Sequence, residues 1–289
     1  MRIVLFLLLT FSVSAQIKGV VKDSITGKPI PYAGIWTNGI GLSTSSDEKG
    51  KFKIEKCSKT KFIELFTTSY ERKKILVKDL KKEIVLVPKK KIESNGIVIT
   101  NDYQKRVTDF DKSSEKRIKF LSFNSTCLIA EYIPYDNFFD STTPFLKSIK
   151  IDLMSTDKAI YKIRFFKSDS MGNPSEEIEQ EEIICSIEKT TSGTSNPTII
   201  KFKDDLQTID LLKYKIPFPK TGLFVAVEIM KIDQNQSILK DGNNNQIEML
   251  NPSLKIGIQL NQNVWRFENS KWNLESDLGG FGINLILTN

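Results

Sequence analysis

The sequence contains no histidine. That absence excludes a Ser-His-Asp triad, a Cys-His pair and any zinc or iron site built on imidazole. Cysteine is nearly as scarce. Cys57, Cys127 and Cys185 stand far apart, so neither a zinc ribbon nor a redox Cys-x-x-Cys is encoded. Three cysteines permit at most one internal disulfide. Cys185, set among Ile183, Ile184 and Ile187, reads as a small buried apolar side chain. Beyond residue 15 no stretch reaches the ~20 apolar residues of a membrane helix. No metal or cofactor is expected on these grounds.

The N-terminus carries one charge, Arg2, then an apolar stretch from Ile3 to Phe11 and the small-residue run Val13-Ser14-Ala15. This is the pattern of a signal peptide over residues 1–15, too short to span a bilayer of roughly 30 Å. Cleavage after Ala15 leaves Gln16, and no cysteine follows for acylation. The expectation is an exported chain, in the periplasm, at the outer membrane or outside the cell, without a transmembrane segment in its mature form.

From Gln16 the pattern is β. Asp23-Ser24-Ile25-Thr26-Gly27-Lys28-Pro29 and Ser46-Asp47-Glu48-Lys49-Gly50 are turns, because their side chains bond local backbone and Gly27 supplies positive φ. Phe52 and Ile54 alternate with Lys51, Lys53 and Glu55 at period two. Phe62–Phe66, Lys74–Val77 and Ile84–Val87 are further short strands, and no helix-length periodic segment interrupts them. About seven strands in about seventy residues predict a small antiparallel sandwich over 16–88. The runs I-K-G-V-V-K-D-S-I-T-G-K-P-I-P-Y-A-G-I and S-D-E-K-G-K-F-K-I resemble the carboxypeptidase-regulatory-like domain, a transthyretin-like sandwich common in exported proteins of Bacteroidetes. The resemblance implies a seven-stranded accessory module and brings no catalytic residues. It makes Asp47 and Gly50 hairpin residues.

Residues 89–110 read as a linker, starting at Pro88-Lys89-Lys90-Lys91. Ile97-Val98-Ile99-Thr100 is similar to the segment that precedes the plug and barrel in outer-membrane receptors. The residues after it are too few for a many-stranded receptor barrel. Over 111–289, apolar alternation recurs at Leu146–Leu153, Ile160–Phe165, Leu223–Ile229, Leu254–Ile258 and Phe281–Leu287, with turn clusters such as Ser170–Pro174 and Pro217–Gly222 between them. This predicts a larger, jelly-roll-like β-sandwich, and hence an all-β chain of two sandwiches. The runs Y-K-I-R-F-F-K-S-D-S-M-G-N-P-S-E-E-I and Q-T-I-D-L-L-K-Y-K-I-P-F-P-K-T-G-L-F-V-A-V-E-I-M, with the spacing between them over 144–231, also resemble the C-terminal region of flavobacterial proteins that carry the regulatory-like domain.

With histidine gone, carboxylates are the remaining catalytic resource. A glycosidase needs two of them about 5–10 Å apart across a cleft. Glu176, Glu177, Glu179, Glu181 and Glu182 form one run and read as a solvated loop. Glu228 ends the apolar run Leu223-Phe224-Val225-Ala226-Val227. If inward-facing it requires a partner, for which Arg164 is the candidate. Asp241–Glu248 has alternating oxygen ligands but lacks the glycine and terminal glutamate of an EF-hand, and reads as a polar turn. The aromatic stretch from Tyr132 to Asp140 reads as a loop and is the best ligand-site candidate. Tyr132, Tyr135, Phe138 and Phe139, with Trp265 and Trp272, are the candidate ligand-binding residues, and Trp36 also belongs to the aromatic set.

Charge divides unevenly. Residues 16–110 hold 20 Lys and Arg against 11 Asp and Glu, whereas 111–289 hold 21 against 24. An exported chain without a nucleic-acid motif is not expected to bind nucleic acid. The expected partners are an envelope protein or a glycan, and the basic part is expected to attract anionic envelope components. The functional expectation is a non-catalytic binding or scaffold protein of the cell envelope. The alternatives are a glycan-binding accessory protein using the second sandwich and a carboxylate-based glycoside hydrolase.

Overall fold

The computed structural model describes residues 16–38, 42–55, 60–90, 99–100, 104–108, 119–135, 143–188, 191–192, 201–202, 206–240, 245–257, 264–280 and 282–289. Among these residues the chain is all-β, with single 3-10 turns and no α-helix. Its first seven strands are β1 (Gln16–Asp23), β2 (Gly34–Thr37), β3 (Thr44–Ser45), β4 (Lys51–Glu55), β5 (Phe62–Phe66), β6 (Lys73–Leu76) and β7 (Glu83–Leu86). They form two sheets: sheet I in the order β4-β1-β7, and sheet II in the order β3-β2-β5-β6. Val21, Ile35, Phe52, Ile54, Ile63, Leu65, Ile84 and Leu86 fill the space between them. Gly27 and Gly50 take φ of 67° and 70° in the two turns, the left-handed backbone that glycine adopts without steric cost.

The remaining strands are β8 (Gln104–Thr108), β9 (Lys119–Phe123), β10 (Cys127–Ile133), β11 (Phe145–Met154), β12 (Ala159–Ser168), β13 (Pro174–Glu177), β14 (Ile183–Ile187), β15 (Thr191–Ser192) and β16 (Lys201–Phe202). After them come β17 (Leu206–Asp210), β18 (Leu223–Ile229), β19 (Gln236–Lys240), β20 (Gln246–Ile256), β21 (Val264–Glu268), β22 (Lys271–Leu274) and β23 (Ile283–Thr288). Sheet III runs β13-β12-β18-β10-β21-β22, with β14 also on β12. Sheet IV runs β19-β20-β11-β23-β8, with β17 on β11 and β9 on β20. Together they make the larger sandwich.

Strand β18 shows how the sheets stack. Its residues are all buried. Leu223, Val225, Val227 and Ile229 point into the core between sheets III and IV. Phe224 and Ala226 point the other way, into a second apolar cluster with Trp36 and Phe66 of sheet II. A strand covered on both faces loses the apolar-polar alternation of a half-exposed one, which is why its sequence is nearly continuous in apolar residues. Sheet II is likewise covered on both faces: Ile35 and Leu65 enter the first core, while Trp36 and Phe66 meet sheet III. The sheets therefore stack I-II-III-IV, and the two sandwiches share a buried middle.

Three expectations need correction. The linker assigned to 89–110 contains β8, whose Gln104–Thr108 pair with Thr288–Asn284 at the edge of sheet IV. An edge strand is held by backbone bonds, and Val107 alone among its residues is strongly apolar, so no alternation marks it. The loop assigned to begin at Tyr132 begins later, since Tyr132 and Ile133 complete β10 against Phe224 and Leu223. The acidic run 176–182 is not wholly solvated: the Glu177 side chain is only 4% exposed.

Candidate functional site

The junction of sheets II and III is the most constructed region of the molecule. On strand β12, Ala159, Tyr161, Ile163 and Phe165 face the larger core, which leaves Lys162, Arg164 and Phe166 pointing toward sheet II. Arg164 is 1% exposed. Its Nε and Nη2 donate to the two carboxylate oxygens of Glu177, each at 2.7 Å, and its Nη1 donates to Glu228 Oε2 at 3.0 Å. Lys162 pairs with Glu182 at 2.8 Å. From the first sandwich, Thr68 donates its backbone N–H to Glu182 and its hydroxyl to Glu177, both at 2.7 Å. One ionic network thus crosses the boundary between the sandwiches.

Burial disfavours the charged guanidinium of Arg164, but Glu177 and Glu228 more than reverse this and raise its pKa. Burial pushes the Glu228 carboxyl up, against the pull of Lys162 and Arg164. Glu182 is also opposed by burial, but Lys162, Arg164 and the Thr68 N–H hold it below the usual carboxylate range. Glu228 is 0% exposed, and its Oε1 lacks a hydrogen-bond partner. That oxygen and Trp36 Nε1 each lie 2.9 Å from where a Cβ on Gly34 would sit. Glycine is what lets β2 approach the carboxylate.

Rings pack around this network. Trp36 meets Phe267 edge-on at 5.2 Å, and Phe66 lies 5.6 Å from Phe267 and 6.3 Å from Phe166. The Arg72 and Arg164 guanidinium carbons lie 3.6 and 3.9 Å from the Phe66 centroid. Two groups that close to one centroid cannot share a face, so Phe66 is held between two cations. On the far side of Trp36, a polar seam joins the sandwiches. Thr126 donates its N–H to Ser43 O at 3.0 Å, Ser45 Oγ and Thr126 Oγ1 lie 3.0 Å apart, and Thr44 Oγ1 donates to Lys231 O at 3.1 Å.

Two open clefts lie at this junction. The first, about 370 Å³, is lined by Ser43, Ser122, Asn124, Ser125, Glu248 and Arg266, with Phe123 and the edges of Trp36 and Phe267. The second, about 430 Å³, lies between Lys51–Lys53, Thr44 and Ser45 on one side and Lys231–Asp233 and Gln236 on the other. In the first, hydroxyls, one amide and charges of both signs stand beside apolar groups that include Phe123, Ile247 and Met249. Such a surface can hydrogen-bond a polar ligand, and it holds two carboxylates, Glu248 and Glu268. Among the described residues no cluster of three or more Cys, Asp or Glu can hold a metal. Cys127 lines the first cleft, where burial pushes its thiol up to about 12 and so disfavours the thiolate.

The aromatic candidates do not form one platform. Trp265 and Trp272 pack against the interface cluster, Trp272 edge-on to Phe166 at 5.1 Å and to Phe267 at 5.3 Å. Tyr132 stacks near Phe224 at 4.9 Å and donates its hydroxyl to Thr221 O at 3.0 Å. Tyr135 instead packs near Phe218, at 6.1 Å, against the larger core. Trp36, also of the aromatic set, is buried at the junction. Phe138 and Phe139 lie outside the described residues, as do Cys57 and Asp241–Asn244 of the polar turn. Cys127 and Cys185 are free. Sequence reasoning placed Glu228 with Arg164 but missed Glu177, Glu182 and Thr68. The available signal was the pair of cations, Lys162 and Arg164, alternating within an apolar strand that must bury one face.

The fold and the junction define a two-sandwich all-β protein whose first sandwich is fused to the second through an ionic and aromatic interface. Residues 17–99 match the family model of the CarboxypepD_reg-like domain. No curated protein matches the chain. Among solved structures the chain is similar to the clostridial cysteine protease Cwp84 after propeptide cleavage, at 13% identity and a TM-score of 0.37, over 86% of this chain and 51% of that one. It is also similar to the cysteine protease and lectin-like domains of Cwp84, a surface-layer-associated protein of Clostridium difficile, at 14% identity and a TM-score of 0.34, over 86% and 45%. The chain spans about half the length of those structures, and scores of that size assign it neither fold nor activity.

Proposed function

We propose that this chain is an exported, non-catalytic binding or scaffold protein of the cell envelope, and that it takes its ligand at the junction of its two sandwiches. The observation that carries this reading is the fate of the polar chemistry. The carboxylate singled out by sequence, Glu228, is sealed beneath sheet II and ion-paired to Arg164, while the open cleft beside it offers hydrogen-bonding groups. A glycosidase acid requires a groove and an opposing carboxylate, and Glu228 has no groove. The signal-peptide pattern supports export.

A glycan is the ligand class favoured by the first cleft. Ser43, Ser122, Asn124 and Ser125 supply donors and acceptors, Arg266 and Glu248 add charge, and Phe123 supplies an apolar ring. The test is a glycan array followed by titration calorimetry. Asn124→Ala and Arg266→Ala are expected to weaken a captured glycan tenfold or more without lowering thermal stability comparably. Turnover of glycans or peptides, abolished by one carboxylate substitution, overturns the non-catalytic reading. Binding unaffected by both variants removes the cleft as the site.

A further inference from the structure

We propose that the outer face of sheet I docks onto an anionic lipid bilayer. Strand parity sets the composition of that face. On β1, Val21 points inward and Lys18, Val20 and Lys22 point outward; on β4, Phe52 and Ile54 point inward and Lys51 and Lys53 outward. On β7, Ile84 and Leu86 point inward, so Glu83 and Val85 point outward, and Val87 continues their row. The register sets Lys18 beside Lys53, Val20 between Lys51 and Glu83, and Lys22 beside Val85.

The outer row therefore sets four lysines with valines between them. Glu83 is engaged by Lys22 at 2.6 Å. Among the described residues Lys18, Lys51 and Lys53 have no ion-pair partner. Sheet II covers the inner face of sheet I, and among the described residues no sheet covers the outer one, whose Lys51 and Lys53 at the β4 edge also border the second cleft. Charge selects the occupant: cations dominate residues 16–110, and phosphate headgroups complement them. The valines select a bilayer over a soluble polyanion. Val85 is 40% exposed and Val87 50%, and an apolar side chain gains by entering a lipid interface but not by lying against a hydrated polymer.

The face is separate from the first cleft, so ligand capture and membrane docking fail independently. The test is co-sedimentation of the whole protein with vesicles of phosphatidylcholine alone and with about one-third phosphatidylglycerol. Binding to the anionic vesicles only, weakening with salt, is expected. Each lysine contributes about fivefold near such a surface, so Lys18→Glu/Lys51→Glu/Lys53→Glu lowers affinity about a hundredfold or more. The matched variant Lys213→Glu/Lys220→Glu/Lys271→Glu changes net charge equally on the other sandwich and retains binding within threefold. Val85→Asn lowers binding without changing its salt dependence. The proposal is overturned if the wild type ignores anionic vesicles or binds phosphatidylcholine equally. It is also overturned if both triple variants lose binding alike, or if Val85→Asn has no effect and a soluble phosphate polymer competes fully.

Discussion

Arg164 is the residue on which the junction turns. It satisfies Glu177 with two bonds and Glu228 with one, inside a space sealed from water. Removing a cation from such a site strands its anions, which costs more than the pair contributes. Arg164→Met is expected to lower unfolding free energy by about 3–5 kcal/mol in chemical denaturation. Glu228→Gln should cost no more than about 1.5 kcal/mol, because burial already pushes Glu228 toward its neutral form and Arg164 keeps Glu177. Equal losses in the two variants would contradict the assignment. Glu182 sets a pH dependence. Its carboxyl is held below the ordinary 4.5 in the folded protein, so its contribution is whole above that value and is lost as pH falls through the folded one. The stability gap between wild type and Glu182→Gln should shrink steadily below about pH 4.5. Glu228 runs with the opposite sign, its folded value being raised, so its effect favours the folded state at low pH and fades as pH rises.

Elements differed in how legible they were. The first sandwich could be read because each of its turns carries its own chemistry: Asp23 accepts from the backbone of Ile25 and Thr26, and Asp47 from Lys49 and Lys51. Strand β18 could be read as a strand, but a continuous apolar run does not say what covers its second face. That depends on Trp36 and Phe66, more than 150 residues earlier. The acidic run misled because charge density suggests solvent, whereas β13 returns beside β12 and sets Glu177 opposite Phe166, within reach of Arg164. Of the aromatic candidates, Tyr132, Trp265 and Trp272 pack at the junction with sheet II and Tyr135 packs against the larger core, a division that pairwise sequence spacing does not carry. The close approach of β2 gives a prediction at this scale. A methyl on Gly34 meets Glu228, Trp36 and the Phe66 carbonyl at 2.9, 2.9 and 3.1 Å. The carbonyl is backbone and cannot swing aside, so Gly34→Ala should cost about 1–3 kcal/mol in thermal unfolding. A neutral outcome would mean that sheets II and III stand further apart.

At the scale of the molecule, the first sandwich is half of a larger body. Its second face covers Leu128, Ala130, Phe166, Phe224, Ala226 and Phe267, a patch that would lie open if the second sandwich stood alone. Four sheets that share three buried layers should unfold together, whereas a module on a flexible tether should not. Differential scanning calorimetry of the whole protein tests this most directly. The account predicts one endotherm whose calorimetric and van't Hoff enthalpies agree, shifted as a whole to lower temperature by Arg164→Met. Two resolved endotherms, with only the smaller moved by that substitution, would contradict it.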